Sequence, residues 1–389
     1  MKVEGAWRTR EATQRLCQAL EQAGFQALFV GGCVRNALLG EPVRDIDIAT
    51  DAPPESVITI AERAGMKPVP TGIAHGTVTV VAQGQPHEVT TFRRDVETYG
   101  RRARVAFAAS LAEDARRRDF TINALYARPD GTVIDPLGGL PDLQARQVCF
   151  IENPEARIKE DYLRILRFFR FHAWYGRGEP DPEGVAACAA LADGVERLSR
   201  ERIGAEMLKL LAAPDPAPAA ALMQASGVLA HVLLGADTGC LAPLIDLEGK
   251  LGARPEPIRR LAALGGDEVA ERLRLSKAQA RRRARLIELA ATGMTPAELG
   301  YREGEEMGRD IVLLRAALGG GSATEQDLDD LALGAGAEFP ISARDLVTRY
   351  QGPALGQKLA ELERVWIESG FALDREALLA RDARADRGD

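Results

Sequence analysis

Short apolar runs separated by glycines mark the start of the chain. The run 28–30 predicts a strand, Gly31 and Gly32 permit a tight turn, and the apolar spacing over 34–39 predicts a short helix. Apolar and polar positions then alternate over 45–50, which predicts a second strand with two isoleucines on its buried face. The pattern predicts strand, turn, helix and strand in that order.

The segments on both sides of this stretch also have regular patterns. Amphipathic spacing over 10–23 predicts a helix that packs on the sheet, and a Pro-Pro pair can start another helix over 53–64. Residues 76–82 and 88–92 alternate as strands, so the first part of the chain is expected to form a small mixed sheet with helices. No periodic pattern holds over 93–110, which predicts a mobile basic loop.

Beyond residue 150 the pattern is helical. Runs with helical spacing are separated by Gly, Pro and Asp, and a proline-rich segment at 214–218 indicates a boundary. The predicted fold class is therefore α+β, with charged residues from Arg381 onward expected to be disordered. The predicted domains are a head (1–150), a helical neck (151–213), a helical body (214–340) and a helical tail (341–389).

The composition is that of a globular protein. Of 389 residues, 46% are hydrophobic and 28% are charged, and no apolar run approaches the roughly 20 residues of a transmembrane helix. The five cysteines show neither a disulfide framework nor metal spacing, so a reducing cytosol is the expected compartment. The net charge is −7, yet arginines concentrate in 93–118, 157–177 and 272–285, so basic faces can exist on an acidic protein.

Two carboxylates and a glycine turn supply the first candidate chemistry. Asp45 and Asp47 are two residues apart on the predicted strand, so both project from one face. Gly31 and Gly32 precede a helix N-terminus whose free N–H groups, together with Arg35, suit a phosphate. Carboxylates that face a phosphate favour Mg²⁺, which takes oxygen ligands. We predict that the two aspartates bind the metal and are catalytic.

Glu88 is the third predicted catalytic carboxylate. It lies on a strand expected to neighbour the strand of the two aspartates. An exposed strand glutamate without a role in the site is the alternative.

The Gly-Gly-x-Val-Arg signature at 31–35 and the Asp-x-Asp at 45–47 resemble those of the polymerase-β-like nucleotidyltransferases. Within that superfamily the chain resembles the branch of class II bacterial-type tRNA CCA-adding enzymes and poly(A) polymerases. The resemblance implies a two-metal nucleotidyl transfer in which an RNA 3′-OH attacks the α-phosphorus and pyrophosphate leaves. One departure is Asn36, because the family usually has Asp after this arginine.

The second motif is Arg-Arg-Asp-Phe-Thr-Ile-Asn. Asp119 or Thr121 is expected to cap a helix, with Arg117, Arg118 and Asn123 as polar groups beside it. Such groups suit a ribose and a triphosphate, and a capped helix with a basic lead-in is the structural alternative. The match to the family's motif implies that the aspartate and its arginines contact the nucleotide sugar.

The third motif, Glu-Asp-x-x-Arg, lies in a predicted helix over 157–171. Asp161 is expected one turn before Arg164, and Arg164 shares a face with Arg167. Taken alone, Asp161 would more often be a helix cap or an ion-pair partner. The resemblance implies that these residues select the nucleotide.

Base chemistry agrees with that implication. Cytosine and adenine both present an amine beside a ring nitrogen that accepts a hydrogen bond, so Asp161 can accept from the amine while Arg164 donates to the ring. Uracil and guanine present the opposite pattern and would leave groups unpaired at about 1–3 kcal/mol each.

A run of arginines supplies the candidate RNA contact. Arg281, Arg282, Arg283 and Arg285 lie in a helical pattern over 271–290, and such a face can follow a phosphate backbone. A solvated helix face is the alternative.

The resemblance spans nearly the whole chain and implies addition of C, C and A to tRNA 3′ ends from CTP and ATP with Mg²⁺. In the family the neck selects the base, and the body and tail bind RNA. A poly(A) polymerase that uses ATP only and a catalytically silent RNA-binding protein are the alternatives. The expected partner is tRNA, without a membrane or a protein partner, in the cytoplasm.

Overall fold

The computed structural model describes residues 1–99, 102–107, 110–319 and 322–385. Contacts divide the chain into two compact units. Unit 1 contains Met1–Leu234 with Glu271–Arg274, and unit 2 contains Gly235–Ala270 with Leu275–Asp389. The finer division into head, neck, body and tail remains a prediction.

Unit 1 begins with the predicted mixed sheet. Its strands, in chain order, are β1 (Leu28–Val30), β2 (Asp47–Thr50), β3 (Lys67–Gly72), β4 (Thr77–Ala82), β5 (Gln85–Thr91), β6 (Arg93–Tyr99), β7 (Arg102–Phe107), β8 (Tyr126–Ala127) and β9 (Val133–Ile134). All except β6 and β7 form one sheet in the order β3-β4-β5-β2-β1-β8-β9. Strands β2 and β5 are parallel and the other neighbours are antiparallel, so the predicted α+β class is confirmed.

Short helices surround this sheet. They are α1 (Ala6–Thr9), α2 (Glu11–Gln22), α3 (Gly32–Leu39), α4 (Pro54–Arg63), α5 (Leu111–Arg116) and α6 (Leu140–Gln144). Helix α4 packs on β3 and β4, and helix α2 packs on β4 and on α4, as the amphipathic pattern predicted for α2. At the centre of the sheet, Phe29 and Ile48 are fully buried. The sequence pattern therefore predicted the strands and helices nearest the candidate site.

The prediction of an irregular loop over 93–110 is wrong for the described residues. Strands β6 and β7 pair as an antiparallel hairpin with a bulge between Asp95 and Glu97. Residues 100–101 and 108–109 of the predicted loop lie outside the described residues.

Six helices follow in the described remainder of Met1–Leu234. They are α7 (Pro154–Glu160), α8 (Leu163–Tyr175), α9 (Pro182–Ala190), α10 (Arg200–Leu211), α11 (Ala217–Ala225) and α12 (Val228–Val232). The single helix predicted over 157–171 is interrupted, because Asp161 has an extended backbone (φ −154°, ψ 106°) between α7 and α8. The rings of Phe150 and Phe168 stack, and the Phe120 ring lies beside them. These contacts pack α8 against the segments that contain Phe120 and Phe150.

The boundary between the two units falls within the sequence of helix α15 (Val269–Arg272), and the helices of unit 2 come before and after it along the chain. They are α13 (Leu241–Lys250), α14 (Pro257–Leu264), α16 (Lys277–Ala290), α17 (Pro296–Glu303), α18 (Glu305–Ala317), α19 (Glu325–Ala335), α20 (Ala343–Leu346), α21 (Pro353–Glu368) and α22 (Arg375–Ala385). The expectation of disorder from Arg381 is wrong as far as Ala385, since α22 continues there and Asp382 is buried. Its carboxylate accepts a hydrogen bond from the Tyr350 hydroxyl at 2.9 Å. None of the described helices is long and apolar enough to cross a membrane.

Candidate active site

The predicted carboxylates lie together at one end of the sheet. Asp47 on β2 is in register with Glu88 on the parallel strand β5, so both side chains project from the same face. Asp45 precedes β2 instead of lying in it, and its side chain is exposed. Ile46 and Ile48 are buried on the opposite face, as predicted.

Their electrostatics suit a hard cation. Burial, the charge of Glu88 and the charge of Asp45 raise the pKa of Asp47 to about 6, against an opposing effect of Arg118. Within the described chain, no three His, Cys, Asp or Glu side chains form a metal site by themselves. A cation on Asp45 and Asp47 would therefore take further ligands from substrate and water, which is the usual arrangement for Mg²⁺. The oxygen donors present fit such an ion.

The glycine turn directs the N-terminus of α3 into the same space. Gly31 has φ 68°, a conformation that costs glycine little and other residues more. Gly32 and Cys33 line a cavity of about 440 Å³ together with Asp45 and Asp47. Because the first N–H groups of a helix lack partners within the helix, this end favours an anion.

Arg35 is buried in the wall of this cavity by neutral partners. It donates to Asn123 Oδ1, and to the Tyr175 hydroxyl at 2.8 Å, with its guanidinium 3.9 Å from the centroid of the Tyr175 ring. Asn36 Oδ1 accepts from Arg35 Nη2 at 3.0 Å, while Asn36 Nδ2 donates to the Pro42 carbonyl at 3.0 Å. Burial lowers the pKa of Arg35. Among the residues that the structure describes, no carboxylate forms an ion pair with this guanidinium, although the charge of Asp119 acts on it.

Arg117 and Arg118 are both anchored by a buried acid that the sequence analysis missed. Asp114 accepts from Arg117 Nε at 2.8 Å, from Arg118 Nη2 at 3.2 Å and from the Tyr126 hydroxyl at 2.7 Å. Burial alone would raise the pKa of Asp114, but Arg118 and Arg117 lower it to about 2. The spacing of three and four residues to the two arginines was the available sequence signal.

Neither Asp119 nor Thr121 caps an α-helix, which corrects the capped-helix expectation. Only a three-residue 3₁₀ turn forms at Thr121–Asn123. Asp119 Oδ1 accepts from the backbone N–H of Phe120 and from Asn123 Nδ2, both at 2.9 Å, and Asp119 Oδ2 accepts from Arg167 Nε at 2.7 Å. Although burial opposes it, Arg167 and Asn123 lower the pKa of Asp119 to about 2. Asp119 therefore links the second and third motifs.

Asp161 and Arg164 both have protein partners. Asp161 Oδ1 accepts from the backbone N–H of Leu163 at 3.1 Å, and Asp161 Oδ2 accepts from Arg202 at 2.5 Å. Arg164 pairs with Glu160 through Nη1. The expectation that Asp161 lies on the same helix as Arg164 is wrong, because Asp161 ends α7 and precedes α8. Each carboxylate oxygen of Asp161 accepts from one protein donor, so each can accept a further hydrogen bond.

Helix α10 contributes polar residues that the sequence analysis did not single out. Its Arg202 contacts Asp161, and its buried Glu206 accepts from Arg170 Nε at 2.5 Å. Glu206 Oε1 also lies 4.0 Å from Arg167 Nη1. An Arg and a Glu four residues apart in an amphipathic helix were the available signal.

The four arginines of α16 differ in their surroundings. Arg281 is exposed, and its side chain has no ion pair with the acidic residues that the structure describes. Arg283 lies on the opposite side of the helix from Arg281. The partners are Asp310 and Glu306 for Arg282, the Gly265 carbonyl for Arg283, and Glu303 and Glu288 for Arg285. A single basic face formed by all four is not present, and their contact with RNA remains a prediction.

A small mixed sheet that brings paired acids beside the N-terminus of a helix is the arrangement expected of a nucleotidyltransferase. Residues 27–149 match the family described as the poly A polymerase head domain. Residues 179–239 match the family described as a probable RNA- and SrmB-binding site of polymerase A.

Full-length relatives narrow the family. The chain is 32% identical to the CCA-adding enzyme of Limosilactobacillus fermentum, covering 97% of this chain and 98% of the relative. It is 35% identical to that of Streptococcus gordonii, covering 93% and 94%. The structure of the Bacillus stearothermophilus CCA-adding enzyme in complex with CTP matches with a TM-score of 0.76 at 28% identity, covering 97% and 99%. The chain belongs to the CCA-adding enzyme family, whose members are metal-dependent nucleotidyltransferases.

Proposed function

We propose that this chain adds C, C and A to the 3′ end of tRNA from CTP and ATP, releases pyrophosphate and acts in the cytosol. The observation that carries the proposal is the shared cavity, which is lined by Asp45, Asp47 and the N-terminus of α3. An attacking hydroxyl and a triphosphate can meet there. The near full-length similarity to CCA-adding enzymes supports tRNA as the substrate.

Asp45 and Asp47 are the proposed metal ligands, with Glu88 beside them as the third catalytic carboxylate. Mg²⁺ bound there would favour the deprotonated 3′-oxygen and stabilise the charge that develops on pyrophosphate. The 3′-oxygen forms its bond to the α-phosphorus as the bond from that phosphorus to the β-phosphate oxygen breaks. Gly31, Gly32 and Arg35 would bind the triphosphate through backbone N–H groups and a fixed positive charge.

The second motif would hold the sugar. Asp119 Oδ1 accepts two hydrogen bonds, from the Phe120 N–H and from Asn123 Nδ2, and Oδ2 is bound by both Nε and Nη2 of Arg167. A ribose hydroxyl would therefore share one oxygen with these donors. Arg117, Arg118 and Asn123 are already oriented by protein partners. The sugar would therefore meet groups that need little reorganisation.

Base selection is assigned to Asp161 and Arg164. Each oxygen of Asp161 has one protein partner and can accept again, from the amine of cytosine or adenine. Glu160 holds Arg164 through Nη1, which leaves Nε–H to donate to the ring nitrogen. Arg167 would orient this pocket through Asp119.

The test uses purified protein and a tRNA that lacks its CCA terminus. CTP alone should extend the RNA by two residues, ATP alone should not extend it, and both together should add three. Repeated extension with ATP alone would instead indicate a poly(A) polymerase. Asp47→Ala is the control for contaminating activity.

A further inference from the structure

The 440 Å³ cavity extends well beyond the proposed catalytic and base-reading residues. Its lining also includes Trp174, Arg177 and Lys209, from the end of α8, the loop after it and α10. The base-reading residues at the start of α8 do not line this cavity. The base of the incoming nucleotide would therefore not fill this part of the cavity.

Trp174 forms the ridge between this cavity and a second one. The second cavity, of about 230 Å³, also includes Trp174 and Arg177 but neither of the catalytic aspartates. The Trp174 side chain is 41% exposed, although its indole N–H donates to the Lys209 carbonyl at 2.8 Å. That hydrogen bond fixes one edge of the ring while much of the ring stays accessible. A fixed, exposed indole is a platform on which a nucleobase can stack.

The cations around the indole are available. Arg177 and Lys209 are exposed, and neither side chain pairs with an acidic residue in the described part of the chain. Arg170, which lines the same cavity, is already paired with Glu206. Two free cations beside an exposed aromatic ring are the usual surface for single-stranded nucleic acid.

We propose that Trp174, Arg177 and Lys209 bind the 3′-terminal nucleotides of the RNA acceptor, with one base stacked on Trp174 and the terminal hydroxyl directed at Asp45 and Asp47. A triphosphate would account for the cations but not for an exposed indole. A ligand that passes from the carboxylates across Trp174 into the second cavity is longer than one nucleotide. This assignment rests on the proposed function, because it names the residues that would bind the RNA 3′ end during that reaction.

The test measures binding apart from turnover. The probe is a short, labelled, single-stranded RNA ending in two cytidines, and its Kd is compared with that of CTP for wild type, Trp174→Ala, Trp174→Phe and Lys209→Ala. Trp174→Ala should weaken RNA binding about 5- to 150-fold, Trp174→Phe should restore most of it, and the Kd for CTP should stay within twofold. Lys209→Ala should lower the slope of log RNA affinity against log salt concentration by about 0.7 per phosphate contact. The matched control is Lys67→Ala, which replaces an exposed lysine on β3 and should leave this slope unchanged.

Intrinsic fluorescence gives a second readout on the wild-type protein. Trp7 and Trp366 are buried, so quenching of exposed tryptophan by the probe reports on Trp174 and should vanish in Trp174→Phe. Unchanged RNA binding in Trp174→Ala, or weaker binding of CTP in place of RNA, would overturn the assignment. If the wild-type protein binds the probe through Trp174 but transfers no nucleotide, the proposed function would be refuted and the RNA-binding site would be supported.

Discussion

Replacing Asp161 tests whether the protein itself acts as the template. Asp161→Ala removes the acceptor for the base amine, and a hydrogen bond to a charged group contributes about 1.5–3 kcal/mol. The Asp161 side chain is 23% exposed, so water can partly replace the lost interaction and the lower half of that range applies. We expect the preference for CTP over UTP, and for ATP over GTP, to fall about ten- to fortyfold.

The assay is the ratio of kcat/KM for the paired nucleotides, measured with the same RNA. Asp161 also accepts from the Leu163 N–H at the start of α8 and pairs with Arg202, so a shift in the position of α8 must be separated from loss of the acceptor. Arg202→Ala is the matched control, because it removes the same ion pair and keeps the carboxylate. Its ratios should fall less than those of Asp161→Ala. Unchanged ratios with a collapsed rate in Asp161→Ala would show that the residue is structural.

Three further predictions concern the metal site, acid stability and RNA binding. Asp45→Ala, Asp47→Ala or chelation of divalent ions should abolish transfer, because the metal loses its ligands or is removed. The affinity for tRNA in a gel shift should stay within about threefold, a change of less than about 1 kcal/mol. Normal turnover in either variant would contradict the assignment. The arginines beside Asp114 lower the pKa of its carboxyl to about 2, so its stabilisation, about 2 kcal/mol, is complete above about pH 4 and is lost as the pH falls through 2. Urea unfolding should therefore show Asp114→Asn less stable than wild type at pH 7, with the difference disappearing near pH 2, and a constant difference would refute this. Arg281→Ala should reduce the slope of log affinity for tRNA against log salt concentration by about 0.9. Arg282→Ala should mainly lower the free energy of unfolding, by about 1–3 kcal/mol. Equal slopes for wild type and Arg281→Ala would show that α16 is a solvated helix face.

Local sequence was sufficient where one residue type enforces one geometry. Gly31 and Gly40 both adopt positive φ at the two ends of α3, so the turn and the helix end were predictable. Alternation over β2 and β5 placed Asp47 and Glu88 on one face, and the parallel register then made them neighbours. These features depend on backbone conformation and on a period of two, which a sequence displays directly.

Other features depended on contacts distant in the sequence. Strand β3 contains Pro68 and Pro70, which argue against a strand, but it lies at the edge of the sheet where prolines are tolerated. The break at Asp161 falls among good helix formers and is stabilised by Arg202, 41 residues away. Asp382 lies in a charged tail sequence, yet Tyr350 and Lys358 stabilise it in a buried position. Periodicity cannot reveal such long-range partners.

The departure at Asn36 bears on how the triphosphate is held. An aspartate there would give Arg35 a charged partner and neutralise part of its field, whereas Asn36, Asn123 and Tyr175 bind the guanidinium without carrying charge. Asn36 also donates to the Pro42 carbonyl, a hydrogen bond that an ionised aspartate could not make. Asn36 thus holds Arg35 in place, anchors the segment that leads to Asp45, and adds no negative charge to that of Asp119 near the guanidinium. Asn36→Asp should therefore raise the KM for CTP and ATP alike and leave base preference unchanged, and a change in preference alone would show that Asn36 acts on the base.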